Sequence, residues 1–400
     1  MSSLATTNRT EGRMRITAID AMRGLVMLIM LLDHVRESFY LHHQVSDPMD
    51  VSQTEPALFF SRLAAHICAP VFVFLTGLSA WLYAHSTAPS AASSATHSAS
   101  GPRNASGFLI KRGLLLVLLE LLVVNFAWSG QFPPPILYLQ VIWVIGLCMI
   151  VLGLLHRLPA MVLGLTGIII VAGHNALASL TVAPGGIAHA LWTVFLHRGF
   201  LVAEGAVKIK VSYPLLPWIG IILLGYVAGR LYANDITPVR RQRMLTLLGA
   251  TALLLFVVLR SLNGYGENLP WQTGEDSLHS IMSFLNLTKY PPSLDFALLT
   301  LGAGMLCLAW LETGHGWLSR VCSIFGAAPM FYYLLHLYVL LFMQILFVNL
   351  FGANHGKRFG VDHVWQLWLI SAALIPALYY PCRSFARFKR QSGQAWVRYF

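Results

Sequence analysis

Residues 15–36, RITAIDAMRGLVMLIMLLDHVR, form an apolar stretch of helix length that carries Asp20, Arg23, Asp33 and His34. At 100° per residue Asp20, Arg23, Met27, Met30 and His34 fall along one stripe, because the eleven steps from Arg23 to His34 make almost three turns. Asp33 lies off that stripe. The same steps rise roughly 16 Å, about half the hydrocarbon thickness of a bilayer, so the guanidinium and the imidazole sit at different depths of one membrane helix. Charged groups at such depths are expensive and mark function.

The rest of the chain agrees with a membrane setting. Of its 400 residues 56% are hydrophobic and 11% charged, the mean hydropathy is +0.65, and the apolar residues arrive in helix-length blocks. The expected fold class is all-α: a polytopic helical membrane protein of about ten transmembrane helices. The spans are expected near 16–36, 58–84, 108–127, 136–155, 159–178, 215–232, 244–262, 294–311, 324–350 and 364–381. The apolar segment 187–203 is short and carries His189, His197 and Arg198, which favours a re-entrant or interfacial helix. Residues 1–12 are read as a disordered cytoplasmic N-terminus, 13–385 as one transmembrane domain and 386–400 as a basic cytoplasmic tail. The Ala/Ser/Pro-rich stretch 86–106 is read as a flexible cytoplasmic linker. The first apolar segment leads into bulky SFYLHH rather than a small-residue cleavage site, so it is expected to be a retained span.

The net charge of +11 does not point to nucleic acid, because the basic residues are scattered over short loops. With the N-terminus inside, the inner loops and termini hold seventeen Lys and Arg against nine outside, which favours cytoplasmic termini. Cys68, Cys148 and Cys307 lie within spans and Cys322 and Cys382 near inner span ends, so no disulfide framework is implied. Internal repetition is faint: MRGLVMLIMLLD (22–33) echoes KRGLLLVLLELL (111–122) and little else.

This topology assigns depths. His34 at the end of the first span and His66 near the start of the second share an outer level with Asp33, Arg36 and Arg62. Arg260 at the end of the seventh span and FLNLTKYPPS (284–293), with Asn286, Lys289 and Tyr290, reach the same level. Two imidazoles, a carboxylate and several cations at one depth make an acid/base site acting on a polar substrate. Each also has a plainer reading: the cations as snorkelling anchors, His66 as a cap where Pro70 removes a donor, and Asp33 as the partner of Arg36. Glu120 is read as a structural ion pair or a protonated carboxyl, and His336 as an interhelical hydrogen bond or a pathway residue. His42, His43, His355 and His363 fall in outer loops with no metal-binding spacing, and no metal is expected. There is no P-loop, GxSxG, HExxH or dinucleotide fingerprint. Gly24, Gly77, Gly220, Gly225 and Gly229 are expected at close helix crossings.

Taken in order, RITAIDAMRGLVMLIMLLDHVR, HICAPVFVFLTG, KRGLLLVLLEL, YPLLPWIGIILLGYVAG, FLNLTKYPPSL and PMFYYLLHLYV resemble the bacterial membrane proteins grouped with the heparan-alpha-glucosaminide N-acetyltransferase catalytic domain. The Arg23-x10-His34 pair is similar to the arginine and histidine in the first helix of the acyltransferase type three family, which acylates cell-surface sugars. The resemblance implies transfer of an acetyl or other acyl group from cytoplasmic acyl-CoA to a sugar amine or hydroxyl on the far side of a bacterial inner membrane. In one respect the chain departs: the lysosomal enzyme's proposed active histidine lies further into the first outer loop, near His42 and His43 here, so His34 is carried over from the second family.

On this reading His34 is the catalytic base, with Asp33 and His66 beside it. Arg62, Arg260, Asn286, Lys289, Tyr290 and His336 are candidates for the acceptor, and Arg23, Lys111 and Arg112 for the CoA phosphates. The partners implied are the bilayer, acyl-CoA and a glycan acceptor, with a homodimer left open. Two rival classes stay in view. A secondary transporter would use Glu120, His336 and the outer cluster as substrate or proton sites, and a non-catalytic membrane subunit would use the same residues as interhelical glue.

Overall fold

The computed structural model describes residues 2–85, 104–314 and 316–399. Met1 and all but the last three residues of the expected 86–106 linker lie outside the described residues. The chain forms α1 (Ser2–Phe39), α2 (Pro56–His66), α3 (Cys68–His85), α4 (Ala105–Leu119), a wider π-turn over Glu120–Val124, α5 (Asn125–Ser129), β1 (Ile136–Leu139) and α6 (Val141–Leu155). There follow α7 (Ala160–Gly173), α8 (Gly186–Phe195), β2 (Gly199–Val202), β3 (Lys208–Val211), α9 (Leu215–Ala228) and α10 (Pro238–Leu262). The remainder is α11 (Ser277–Leu285), α12 (Leu294–Thr313), α13 (Trp317–Gly326), α14 (Pro329–Phe351) and α15 (Val364–Gln391).

The helix starts follow from local chemistry. Pro56, Pro238 and Pro329 open α2, α10 and α14, where a missing N–H costs nothing. The side chains of Asn104, Thr237 and Ser293 accept from backbone N–H groups at the starts of α4, α10 and α12.

Seven stretches among the described residues are long and apolar enough to cross a membrane: Pro56–His85, Ala160–Leu177, Leu215–Tyr232, Pro238–Leu262, Leu294–Thr313, Pro329–Phe351 and Val364–Gln391. The other three expected spans fall on α1, on the α4–α5 run interrupted by its π-turn, and on α6. The stretch expected to span from 136 opens instead as β1, leaving a 15-residue helix. Segment 187–203 resolves into the ten-residue α8, about 15 Å long, and β2. β2 pairs antiparallel with β3, and β3 pairs parallel with β1, in a small three-stranded sheet.

α2–α3, α9 and α12 are mostly buried, whereas α7, α10, α14 and α15 turn large apolar side chains outward. An outward apolar face suits lipid and would be a liability in water. The helices meet at glycines. A Cβ on Gly24 would lie 1.8 Å from the Cys322 carbonyl oxygen, and one on Gly326 would lie 1.8 Å from that of Asp20, so α1 and α13 cross backbone to backbone. Gly77 of α3 and Gly225 of α9 make a second such crossing, as their place in the sequence led us to expect.

Candidate active site

A cavity of about 850 Å³ runs along α1, large for a small-molecule site. Its wall includes Arg23, Met27, Met30 and His34, the stripe set by helical periodicity. Asp33, expected off that stripe, also reaches the wall. Between the ends the lining is chiefly apolar, from Cys68 and Phe72 of α3, Leu109 and Leu116 of α4, and Ile142 and Ile145 of α6.

The Arg23 end is basic. Arg23 pairs with Asp20 at 2.8 Å, the plain partner one turn away, and also donates to the Ser79 hydroxyl. Arg112 lines the same end, with its Nε buried and without a hydrogen-bond partner. Lys389 joins them from α15, its Nζ donating to the Ala327 carbonyl at 3.2 Å. Sequence reasoning placed Lys389 in a tail, but α15 continues through it to Gln391. Lys111, grouped with Arg112 in the sequence, is exposed and is not on the wall.

At the other end His34 and His336 meet. Their rings lie 12° from parallel, and His34 Nδ1 is 2.6 Å from His336 Nε2. His336 Nδ1 is 2.9 Å from the Tyr332 carbonyl, which can only accept, so that nitrogen carries the proton. With both rings neutral, His336 Nε2 must then accept from His34 Nδ1–H, leaving the lone pair of His34 on Nε2. Trp128 and Tyr333 pack edge-on against the His34 ring and fix its plane. Asp33 is held by Arg36 at 3.0 Å, as its spacing predicts, and Arg36 also pairs with Glu37.

Lys289 reaches the cavity from the loop before α12, and two carboxylates hold that loop's backbone. Asp47 accepts from the N–H groups of Lys289 and Tyr290, and Glu267 from the Thr288 N–H and the Ser293 hydroxyl. Arg62 lies 3.7 Å from Asp47 and so supports the loop. Burial pushes the Asp47 carboxyl up, more than Arg62 and Lys289 pull it down. For Lys289 burial acts to lower the pKa, but Tyr290 and Asp33 outweigh it and the net shift is upward, so the ammonium stays charged. Tyr290 donates its hydroxyl to Tyr213, which also lines the cavity and which burial holds well above the usual phenol range.

The remaining expected residues have other occupations. Arg260 is buried and donates to four backbone carbonyls, those of Phe284, Leu269, Ser283 and Asn286. Asn286 pairs with both backbone groups of Met49. His66 is buried with neither ring nitrogen hydrogen-bonded, and the cavity wall passes through its neighbours Ala65 and Cys68. Glu120 caps α6, its Oε2 accepting from Ile142 and Trp143 N–H at 3.1 and 3.2 Å. The α6 N-terminus thus holds Oε2, while Oε1 is buried without a hydrogen-bond partner.

A family model described as heparan-alpha-glucosaminide N-acetyltransferase, catalytic, matches residues 15–260, more than half of the chain. The match takes in Arg23, His34 and Arg112 and ends before Lys289, Tyr333, His336 and Lys389. No curated protein matches the sequence. With α1 and its arginine and histidine inside the matched region, the chain belongs to the heparan-alpha-glucosaminide N-acetyltransferase catalytic-domain family.

Proposed function

We propose that the protein is a membrane acyltransferase that moves an acetyl group from acetyl-CoA, bound from the cytoplasmic side, to a sugar amine or hydroxyl arriving at the His34 end. One observation carries this reading: a single cavity joins a cluster of three cations to an imidazole whose lone pair is set by its neighbour. Arg112, Lys389 and Arg23 fit the phosphates of CoA, since the buried Nε of Arg112 lacks the acceptor a phosphate would supply. The apolar middle suits the extended arm that carries the thioester, and the roughly half-bilayer rise along α1 separates donor from acceptor.

The donor thioester is already activated, so the protein has to position, deprotonate and stabilise. His34 Nε2 takes the acceptor's proton while its Nδ1–H stays on His336, which steadies the imidazolium as it forms. Lys289, a fixed cation on the same wall, offsets the negative charge growing on the carbonyl oxygen or orients the acceptor. His34 then returns the proton to the departing thiolate.

The test is incubation of purified protein with radiolabelled acetyl-CoA and a panel of amino sugars and glycans. Acceptor-dependent CoA release with a labelled product supports the proposal. Acetyl-CoA that neither binds nor reacts, beside substrate uptake by proteoliposomes, would replace it with the transporter reading.

A further inference from the structure

Four loop histidines match no metal motif in the sequence, yet the fold brings two of them face to face. His42 follows the end of α1, and His355 lies in the loop between α14 and α15. That loop is tied down: Val361 N–H donates to the Phe39 carbonyl at 2.8 Å, and Gln344 of α14 bridges the Ser38 and Phe359 carbonyls. Inside it the Asn354 side chain holds both backbone groups of Gly360, at 2.7 and 2.9 Å. The rings of His42 and His355 stack 3.5 Å apart at 4° to each other, and His355 Nε2 lies 3.4 Å from a carboxylate oxygen of Asp362. One ligand atom from each of His42, His355 and Asp362 falls within 4.8 Å of the others.

Gly360 leaves room for this arrangement. A Cβ there would lie 2.6 Å from the His355 ring and 3.1 Å from the His42 ring, and a space of about 360 Å³ opens beside both imidazoles. Among the described residues no lysine or arginine pairs with Asp362, and the His355 imidazole is its neighbour at 3.4 Å, so the carboxylate is open to a cation that the imidazoles share.

We propose that His42, His355 and Asp362 form a zinc site that ties the end of α1 to the loop joining α14 and α15. Two imidazoles and a carboxylate are a ligand set zinc favours, and a tetrahedral ion leaves a fourth position for water. Bonds of about 2.0–2.2 Å bring ligand atoms to roughly 3.3 Å of one another, a closure that rotation of the exposed His42 and Asp362 side chains toward the half-buried His355 supplies. The ion would act as a clamp: α1 carries His34 and α14 carries His336, so it joins the helices whose imidazoles meet deeper in the membrane. The site stands whether or not the protein transfers acyl groups.

The experiment uses full-length, tag-free protein in detergent, stripped with a chelator and titrated with zinc chloride while metal content and melting temperature are measured. One tightly held zinc per chain and a zinc-dependent rise in melting temperature are expected. His42→Ala, His355→Ala and Asp362→Asn should each weaken zinc binding by at least about tenfold, the loss that even disturbing a ligand's own hydrogen-bond partner causes. Their melting temperatures without zinc should match the parent, which separates a lost ligand from a lost fold. His363→Ala and His197→Ala should bind as the parent does. Zinc binding retained in the His42→Ala/His355→Ala double variant, or lost equally in the two controls, would overturn the proposal.

Discussion

At the scale of single residues, the Tyr332 carbonyl decides the chemistry of His34 by fixing the tautomer of His336, two hydrogen bonds away from the cavity. On the proposed mechanism His34 is the base, and its removal should cost about 10²- to 10⁴-fold in turnover with fold and acetyl-CoA affinity intact, so His34→Ala is expected to be folded, binding and slow. His336 lies behind His34 and is not on the cavity wall, so its role is read through rescue. His336→Gln, whose amide still offers an acceptor to His34, should retain more turnover than His336→Leu, and the two should bind acetyl-CoA equally. Equal turnover in both variants would reduce His336 to packing. At the basic end the division of labour is similar. Arg23 is partly occupied by Asp20 and Ser79, whereas Arg112 has an unused Nε, so Arg112→Ala should weaken acetyl-CoA binding more than Arg23→Ala does. A charged hydrogen bond of about 1.5–3 kcal/mol corresponds to roughly ten- to a hundredfold in affinity for Arg112→Ala, measurable by calorimetry. The stripe Arg23, Met27, Met30, His34 was legible from periodicity alone, because one helix fixes its own angular order. The His34–His336 pair was not, since it joins residues from opposite ends of the chain and no local pattern reports which helices become neighbours.

At the scale of elements, glycines set how close the helices come. The Gly24–Gly326 contact between α1 and α13 leaves no space for even a methyl group on either side, and the obstacles are backbone atoms that cannot rotate away. Gly24→Val should therefore reduce the yield of folded protein sharply, beyond the about 1–3 kcal/mol typical of a crowded core side chain. Gly173 near the end of α7 has nothing within 4 Å, and Gly173→Ala should melt at the same temperature or slightly higher, because alanine favours the helix by about 0.5–1 kcal/mol. Thermal melting of both variants in one detergent checks the contrast. The sequence marked glycines such as Gly24 and Gly77 as crossing points without naming their partners. For Glu120 it left a structural ion pair or a protonated carboxyl open, and the fold supplies a contact that no local pattern shows: the N-terminus of α6 delivers two N–H groups to Oε2.

At the scale of the whole molecule, the apolar blocks and their outward faces account for a helical membrane protein, while the depth and direction of each group follow from topology. The loops that the Lys and Arg count assigns to the outside, around His42, Lys289 and His355, also lie at the His34 end of the cavity, and those assigned to the inside lie at the Arg112 and Lys389 end. Arg112 and Lys389 are themselves among the inner cations of that count, so the basic end of the cavity and the charge bias share residues, and the side from which acetyl-CoA enters is a prediction to be tested directly. The prediction is directional. Lys357 is exposed in the α14–α15 loop and Asp235 in the turn before α10, while Cys68, Cys148, Cys322 and Cys382 are buried and Cys307 is half-buried, so a background free of reactive thiols is attainable. In intact cells a membrane-impermeant maleimide should label Lys357→Cys and spare Asp235→Cys, and permeabilisation should expose both. If Asp235→Cys is labelled in intact cells and Lys357→Cys is not, the cation cluster faces outward. Cytoplasmic acetyl-CoA would then meet His34 rather than Arg112, and the direction of transfer proposed here would be wrong even if the residues are right.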